Sequence, residues 1–171
     1  MKKSRLMIVV GERTWTLAAL HLACAISRRS GIDLLLLKMV PVQHPLFLGT
    51  TAGLLNYSDE DARILSDMAA TAEDYGISLQ VQIFQYASYW SGLVDAAGQL
   101  GATAVVVQVP SSFIPHLRDL RCRWLRHKLA GRQQLLFTLD DLRPSLNWTP
   151  TLKQQNNMAQ LLEQQRWGRT L

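Results

Sequence analysis

Cysteine is scarce in this 171-residue chain: Cys24 and Cys122 are the only two, and they form no C-x-x-C pair. His21, His44, His116 and His127 stand at no metal-ligand spacing. A disulfide framework and a cysteine–histidine zinc site are thereby excluded, and free thiols in a reducing cytoplasm are expected. Long apolar runs are also missing. The longest, "IDLLLLKMV", contains Lys38 and falls well short of the roughly 20 residues that cross a bilayer. The basic start "MKKSRLMIVV" leads into Glu12 and Arg13 too soon for a signal peptide. Catalytic signatures are absent as well. No serine sits in a nucleophile elbow, no acid pair has a catalytic spacing, and Asp59, Glu60 and Asp61 suit the first turn of a helix.

What is present is the composition of a folded domain, 48% hydrophobic and 18% charged. The net charge of +5 is unevenly placed. Residues 1–109 hold 8 Lys and Arg against 9 Asp and Glu, whereas residues 110–171 hold 10 against 4. The basic character belongs to the last third, where it raises the question of an anionic partner.

Periodicity resolves the chain into alternating elements. "RLMIVV" reads as a strand. "ERTWTLAALHLACAISRRSG" reads as a helix with Trp15, Ala18, Ala19, Leu22, Ala23 and Ile26 on its apolar stripe, Thr14 as cap and Gly31 as stop. "DLLLLKMV" is nearly continuous in apolar residues, as a strand covered on both faces should be. A linker follows to Ser58, which caps a second helix burying Ile64, Leu65, Met68, Ala69, Ala72 and Tyr75. "ISLQVQIF" alternates as a third strand. A third helix near Ser88 to Leu100 buries Trp90, Leu93, Val94, Ala97 and Leu100. "ATAVVVQV" is a fourth strand, "PHLRDLRCRWLRHKLAG" a fourth helix with Leu117, Leu120 and Trp124 inward, and "QQLLFTL" a fifth strand.

This alternation predicts an α/β domain over residues 1–142: an open five-stranded parallel sheet of order 3-2-1-4-5 with helices on both faces. Residues 143–171 read as a Pro-punctuated linker and an amphipathic helical tail. The tail is Gln-rich, with Leu152, Met158, Leu161 and Leu162 as its apolar stripe and Trp148 and Trp167 near its ends.

In such a sheet ligands sit where the strand order reverses. The lining predicted there is "GERTW", Gly11 to Trp15, with "QVPSSFIPH", Gln108 to His116, and Met39 to Val42 beside it. The loop after the fourth strand, where a phosphate would be cradled, contains no glycine.

The element order, the lengths and the small-residue positions from Arg5 to Asp140 resemble the universal stress protein family, as in "LMIVVGERTWTLAALHLACAISRRSG" and "AAGQLGATAVVVQVPSSFIPHLRDLRCRWLRHKLAG". The family's nucleotide-binding members carry a G-x2-G-x9-G loop followed by Ser or Thr. The resemblance places those positions at Gln108, Ser111, Arg121 and Cys122, and the family's early aspartate at Gly11, beside Glu12. All three glycines are replaced, which removes close main-chain approach and access to positive φ. The candidate crevice residues are therefore Gly11, Glu12, Arg13, Val40, Gln108, Ser111, Ser112, Arg121 and Cys122, with no catalytic residue and no metal ligand.

The expectation is a non-catalytic, universal-stress-like protein acting by association, without standard ATP binding. The resemblance implies a homodimer through the last strand, Gln133 to Leu139, to which the tail could add. Two alternatives stand beside it. One is an adenine-nucleotide or phosphate site rebuilt from Ser111, Ser112, Arg118 and Arg121, with Arg13 facing the same crevice. The other is an accessory nucleic-acid contact through the basic final third, ranked last because no aromatic–basic interleaving accompanies the charge. The arginines of the fourth helix otherwise read as a solvated face. Cys122, between Arg121 and Arg123, carries a minor alternative as a redox thiol.

Overall fold

A run as apolar as Leu34 to Leu37 needs cover on both sides, and the chain supplies it. The computed structural model describes residues 4–109 and 115–139. Among them five strands, β1 (Arg5–Val9), β2 (Asp33–Pro41), β3 (Leu79–Tyr86), β4 (Ala104–Val106) and β5 (Leu135–Phe137), alternate with four helices, α1 (Arg13–Ser30), α2 (Asp59–Asp74), α3 (Tyr89–Gln99) and α4 (Pro115–Ala130). All pairings are parallel and the order is β3-β2-β1-β4-β5, as the alternation predicts. The expected boundary at 142 and the tail 143–171 lie outside the described residues.

The period of two sorts the strands between two cores. Met7, Val9, Leu35, Leu37, Val105 and Leu136 face α3 and α4, while Leu6, Ile8, Leu34, Leu36 and Val106 face α1 and α2. All of β2 from Leu34 to Leu37 is buried.

The helices differ from expectation in the face they bury. On α1 the buried set is Thr16, Ala19, Leu20, Ala23, Cys24 and Ser27, one residue on from the predicted stripe. Small side chains let the helix backbone approach the sheet, and Trp15, Leu22 and Ile26 are left half-buried on the flank. Thr14 is not the cap. Glu12 occupies that position without a side-chain cap bond, and Gly31 closes the helix at φ 67°, a left-handed conformation that favours glycine. On α4 the sheet side is Cys122, Leu125 and Leu129. Leu120 and Trp124, expected inward, are 57% and 41% exposed. The stretch expected as a plain linker contains two 3-10 turns, Pro45–Phe47 and Thr51–Leu54, capped by the side chains of His44 and Thr50.

α2 begins as predicted. Ser58 accepts from the Asp61 amide and the Asp61 carboxylate accepts from the Ser58 amide, a reciprocal capping box. The same carboxylate accepts from Lys38 Nζ at 2.5 Å, so the one cation on the α1–α2 side of β2 is neutralised where it lies, only 23% exposed. The Lys38 hydrogen bond, with Ser58 adding, holds the Asp61 carboxyl below the usual carboxylate range despite its partial burial. A depressed native pKa stabilises the fold fully above the unfolded value of about 3.9, and the gain disappears as pH falls through the lower native value. Asp61→Asn, which keeps an acceptor but removes the charge, is expected to lose about 2 kcal/mol at neutral pH and to show a flatter decline in acid. Urea denaturation of both proteins at neutral pH and at about pH 3 checks this.

Candidate functional site

β1 and β4 are neighbours, yet the chain leaves β1 towards β2 and leaves β4 towards β5. Their C-terminal ends therefore flank the point where the winding reverses, and α1 starts there. The turn Val10–Gly11–Glu12 is fixed from inside. The Gly11 amide donates to Thr16 Oγ1 at 3.0 Å, and that hydroxyl donates to the Glu12 carbonyl at 2.9 Å. Thr16 is fully buried with both hydrogen-bonding roles used. Val10 donates to the Leu37 carbonyl at 2.8 Å, tying the same turn to β2.

From the other side comes Gln108. Its Oε1 accepts from the Glu12 amide at 2.8 Å, satisfying one donor that a helix start leaves open. To reach it the side chain lies directly over Gly11. A Cβ added at Gly11 would collide with Gln108 Oε1 and stand 3.2 Å from its Cβ and 3.4 Å from its Cδ. The residue without a side chain and the long carboxamide are thus two halves of one contact.

The other predicted site residues disperse. Glu12 and Arg13 are exposed at the helix start, and Thr14 Oγ1 donates to the Glu12 carboxylate at 3.3 Å. The Arg13 guanidinium pairs with Asp67 of α2 at 3.4 Å, both side chains being exposed. Val40 is buried near the end of β2. Arg121 is exposed on α4, while Cys122 is buried among the α3–α4 core residues with Leu125 and Leu129, packing as a small apolar residue. Ser111 and Ser112 lie outside the described residues. Cys24 is also buried, and burial pushes its thiol up, away from the thiolate. His21 shares a 2.9 Å hydrogen bond with the Tyr75 hydroxyl, and His44 Nδ1 accepts from the Leu46 amide at 3.3 Å. Among the described residues no group of three acidic, histidine or cysteine side chains is placed to hold a metal, and no helix is long and apolar enough to cross a membrane.

Thr16 is the residue that sequence reasoning missed. A hydroxyl at position i+4 from the helix start, on the side that turns out to be buried, is the available signal for back-bonding to the preceding turn.

An open parallel sheet of five strands with this reversal point defines the class: a doubly covered α/β fold whose winding reverses at the C-terminal ends of β1 and β4. No family model matches the chain, and no curated protein matches its sequence. Solved structures do. A universal stress family protein from Burkholderia pseudomallei is 17% identical, with 79% of this chain and 94% of that one covered at a TM-score of 0.56. A universal stress protein from Lactobacillus plantarum is 15% identical, covering 81% and 98% at 0.56. One from Archaeoglobus fulgidus, in complex with dAMP, is 13% identical, covering 80% and 97% at 0.52. The chain has the universal stress protein fold.

Gly11→Ala is expected to cost about 1 kcal/mol, because the carboxamide must swing aside and give up the Glu12 amide. Gln108→Gly gives up the same hydrogen bond, so the double variant should cost little more than either single one. A double-mutant cycle by urea denaturation that finds the two effects simply additive rejects the contact as the source.

Proposed function

We propose that this chain is a non-catalytic, universal-stress-like protein that works by association, pairs as a homodimer through the edge of β5, and has no standard ATP site. The observation that carries the reading is the exchange at the reversal point. Where the family resemblance puts a glycine, Gln108 extends a side chain; where it puts an acid, Gly11 has none. A phosphate approaching the start of α1 meets a carboxamide that already holds the Glu12 amide at 2.8 Å. The resemblance puts Ser111 and Arg121 at the remaining glycine positions and Cys122 at the hydroxyl position. Cys122 packs into the core.

Dimerisation draws on the sheet edge. β5 ends the strand order and pairs with β4 on one side, and open strand edges attract pairing. The stretch Gln133 to Leu139 is the pairing edge in this reading, with the tail as a further contributor.

A second reading has one observation in its favour: the Archaeoglobus fulgidus structure of this fold holds dAMP. It would need an anion site rebuilt from Ser111, Ser112 and Arg121, with adenine nucleotide or another phosphate compound as ligand.

Calorimetric and thermal-shift titration with ATP, AMP and cyclic AMP separates the two. No heat and no change in Tm are expected at millimolar ligand. A ligand at 100 times its Kd adds about 2.7 kcal/mol, so stoichiometric binding would be plain and would establish the second reading. Light scattering at micromolar protein should give twice the 19.3 kDa chain mass; a monomer there removes the homodimer.

A further inference from the structure

The outward side of α4 is not built like a solvated helix face. Leu120 and Trp124 stand one turn apart and remain 57% and 41% exposed, opposite the buried row Cys122, Leu125 and Leu129. At 3.6 residues per turn, Arg121 and Lys128 fall along one flank of this apolar row and Arg123 along the other. All three are exposed, and Arg121 and Arg123 have no ion pair among the described residues. Lys128 holds its ammonium 5.9 Å from the centre of the Trp124 ring, a cation–π distance. α4 carries five Lys and Arg, with Arg118 and Arg126, against the single acid Asp119. The facing helix α3 adds Asp95, which is committed to Arg132 at 3.2 Å.

We infer that this ridge of α4 docks on an anionic lipid surface, with Leu120 and Trp124 entering the headgroup boundary and Arg121, Arg123 and Lys128 engaging acidic headgroups. Shape and charge together select that occupant. Leu120 and Trp124 project from a single helix, so a protein partner would have to supply the groove. A second copy offers its acidic helix α2, whose Glu60, Asp61 and Asp67 are already paired. A nucleic-acid groove rewards polar groups at the leading edge, whereas here the leading edge is leucine and tryptophan. An apolar crest bordered by cations on both sides is the pattern of a helix lying in a membrane interface, where tryptophan is favoured. Arg121 is shared with the second reading of the crevice, whereas Leu120, Arg123, Trp124 and Lys128 belong to this surface alone.

The test is co-sedimentation of the full chain with phosphatidylcholine vesicles, with and without phosphatidylglycerol. Binding is expected only with the anionic lipid and is expected to be lost at about 0.5 M salt, where screening is strong. Each cation at an anionic surface is worth about fivefold, so replacing Arg121, Arg123 and Lys128 together by Gln should weaken binding about a hundredfold. Leu120→Ser with Trp124→Ser should weaken it about tenfold or more. All five side chains are exposed, so the variants should retain the parent thermal melt, followed by circular dichroism. Equal binding to neutral vesicles, undiminished binding by folded variants, or no binding at all each overturns the assignment. Retention of a duplex oligonucleotide without vesicle binding overturns it in favour of nucleic acid.

Discussion

The 2.8 Å hydrogen bond from the Glu12 amide to Gln108, made across a residue with no Cβ, ties the end of β4 to the start of α1 at the reversal point. α1 can start there because Thr16 and the alanines behind it let its backbone lie close to the sheet. The turn before it is held by Thr16 and by the Val10 bond to β2 without help from a ligand. The reversal point is consequently a finished piece of structure, with its amide donor used by the chain's own side chain.

The sheet also separates charge. On one side α2 carries six Asp and Glu against the single Arg63; on the other, α4 carries five Lys and Arg against Asp119. Much of the acidic charge on α2 is engaged locally: Asp61 with Lys38, Glu60 with Arg63, Asp67 with Arg13. Exposed pairs of this kind contribute little to stability; their effect is to quiet that face. Arg121 and Arg123 on α4 have no such partners among the described residues, and there the apolar side chains are the exposed ones. The local imbalance, rather than the overall +5, is the feature with a consequence for association.

Most local signals and the strand order were legible in the sequence; the cap of α1, the faces the helices bury and the side-chain partners across the fold were not. The cap at Ser58, the acidic first turn of α2 and the stop at Gly31 depend on neighbours within a few residues, and they stand where the sequence puts them. The strand order followed from alternation, because short crossovers leave few right-handed solutions. The buried faces of α1 and α4 differ from the predicted ones for different reasons. On α1 a stripe drawn through the largest apolar residues favours Trp15, but small residues turn inward where the helix lies close to the sheet. On α4 two apolar rows compete, Leu120 with Trp124 and Leu125 with Leu129, and the tertiary packing chooses the second. The reversal point brought Gly11, Glu12 and Gln108 to one place on topology alone. That Gln108 touches the helix start, 96 residues away from Glu12, depends on a side-chain path that no local pattern encodes. The pairing of Arg13 with Asp67 is of the same kind, because its partner lies on another helix.

Magnitudes indicate which feature of the crevice matters most for nucleotide. An intramolecular hydrogen bond such as Gln108 to Glu12 contributes about 1 kcal/mol net, so a ligand that had only to break it would bind less than about tenfold more weakly. That alone would not abolish a nucleotide site. Loss of main-chain approach is the larger effect, since an anion is held by several backbone amides at once and each Cβ in the way removes a contact rather than weakening it. Gln108 contributes to both, as an occupant of the amide and as a side chain filling the space over Gly11. Shortening it alone would free one donor and open that space, while the remaining substitutions of the loop would stay in place. In the proposed reading the carboxamide therefore acts twice at the reversal point, and the side chains at the other glycine positions, Ser111 and Arg121, add to its effect.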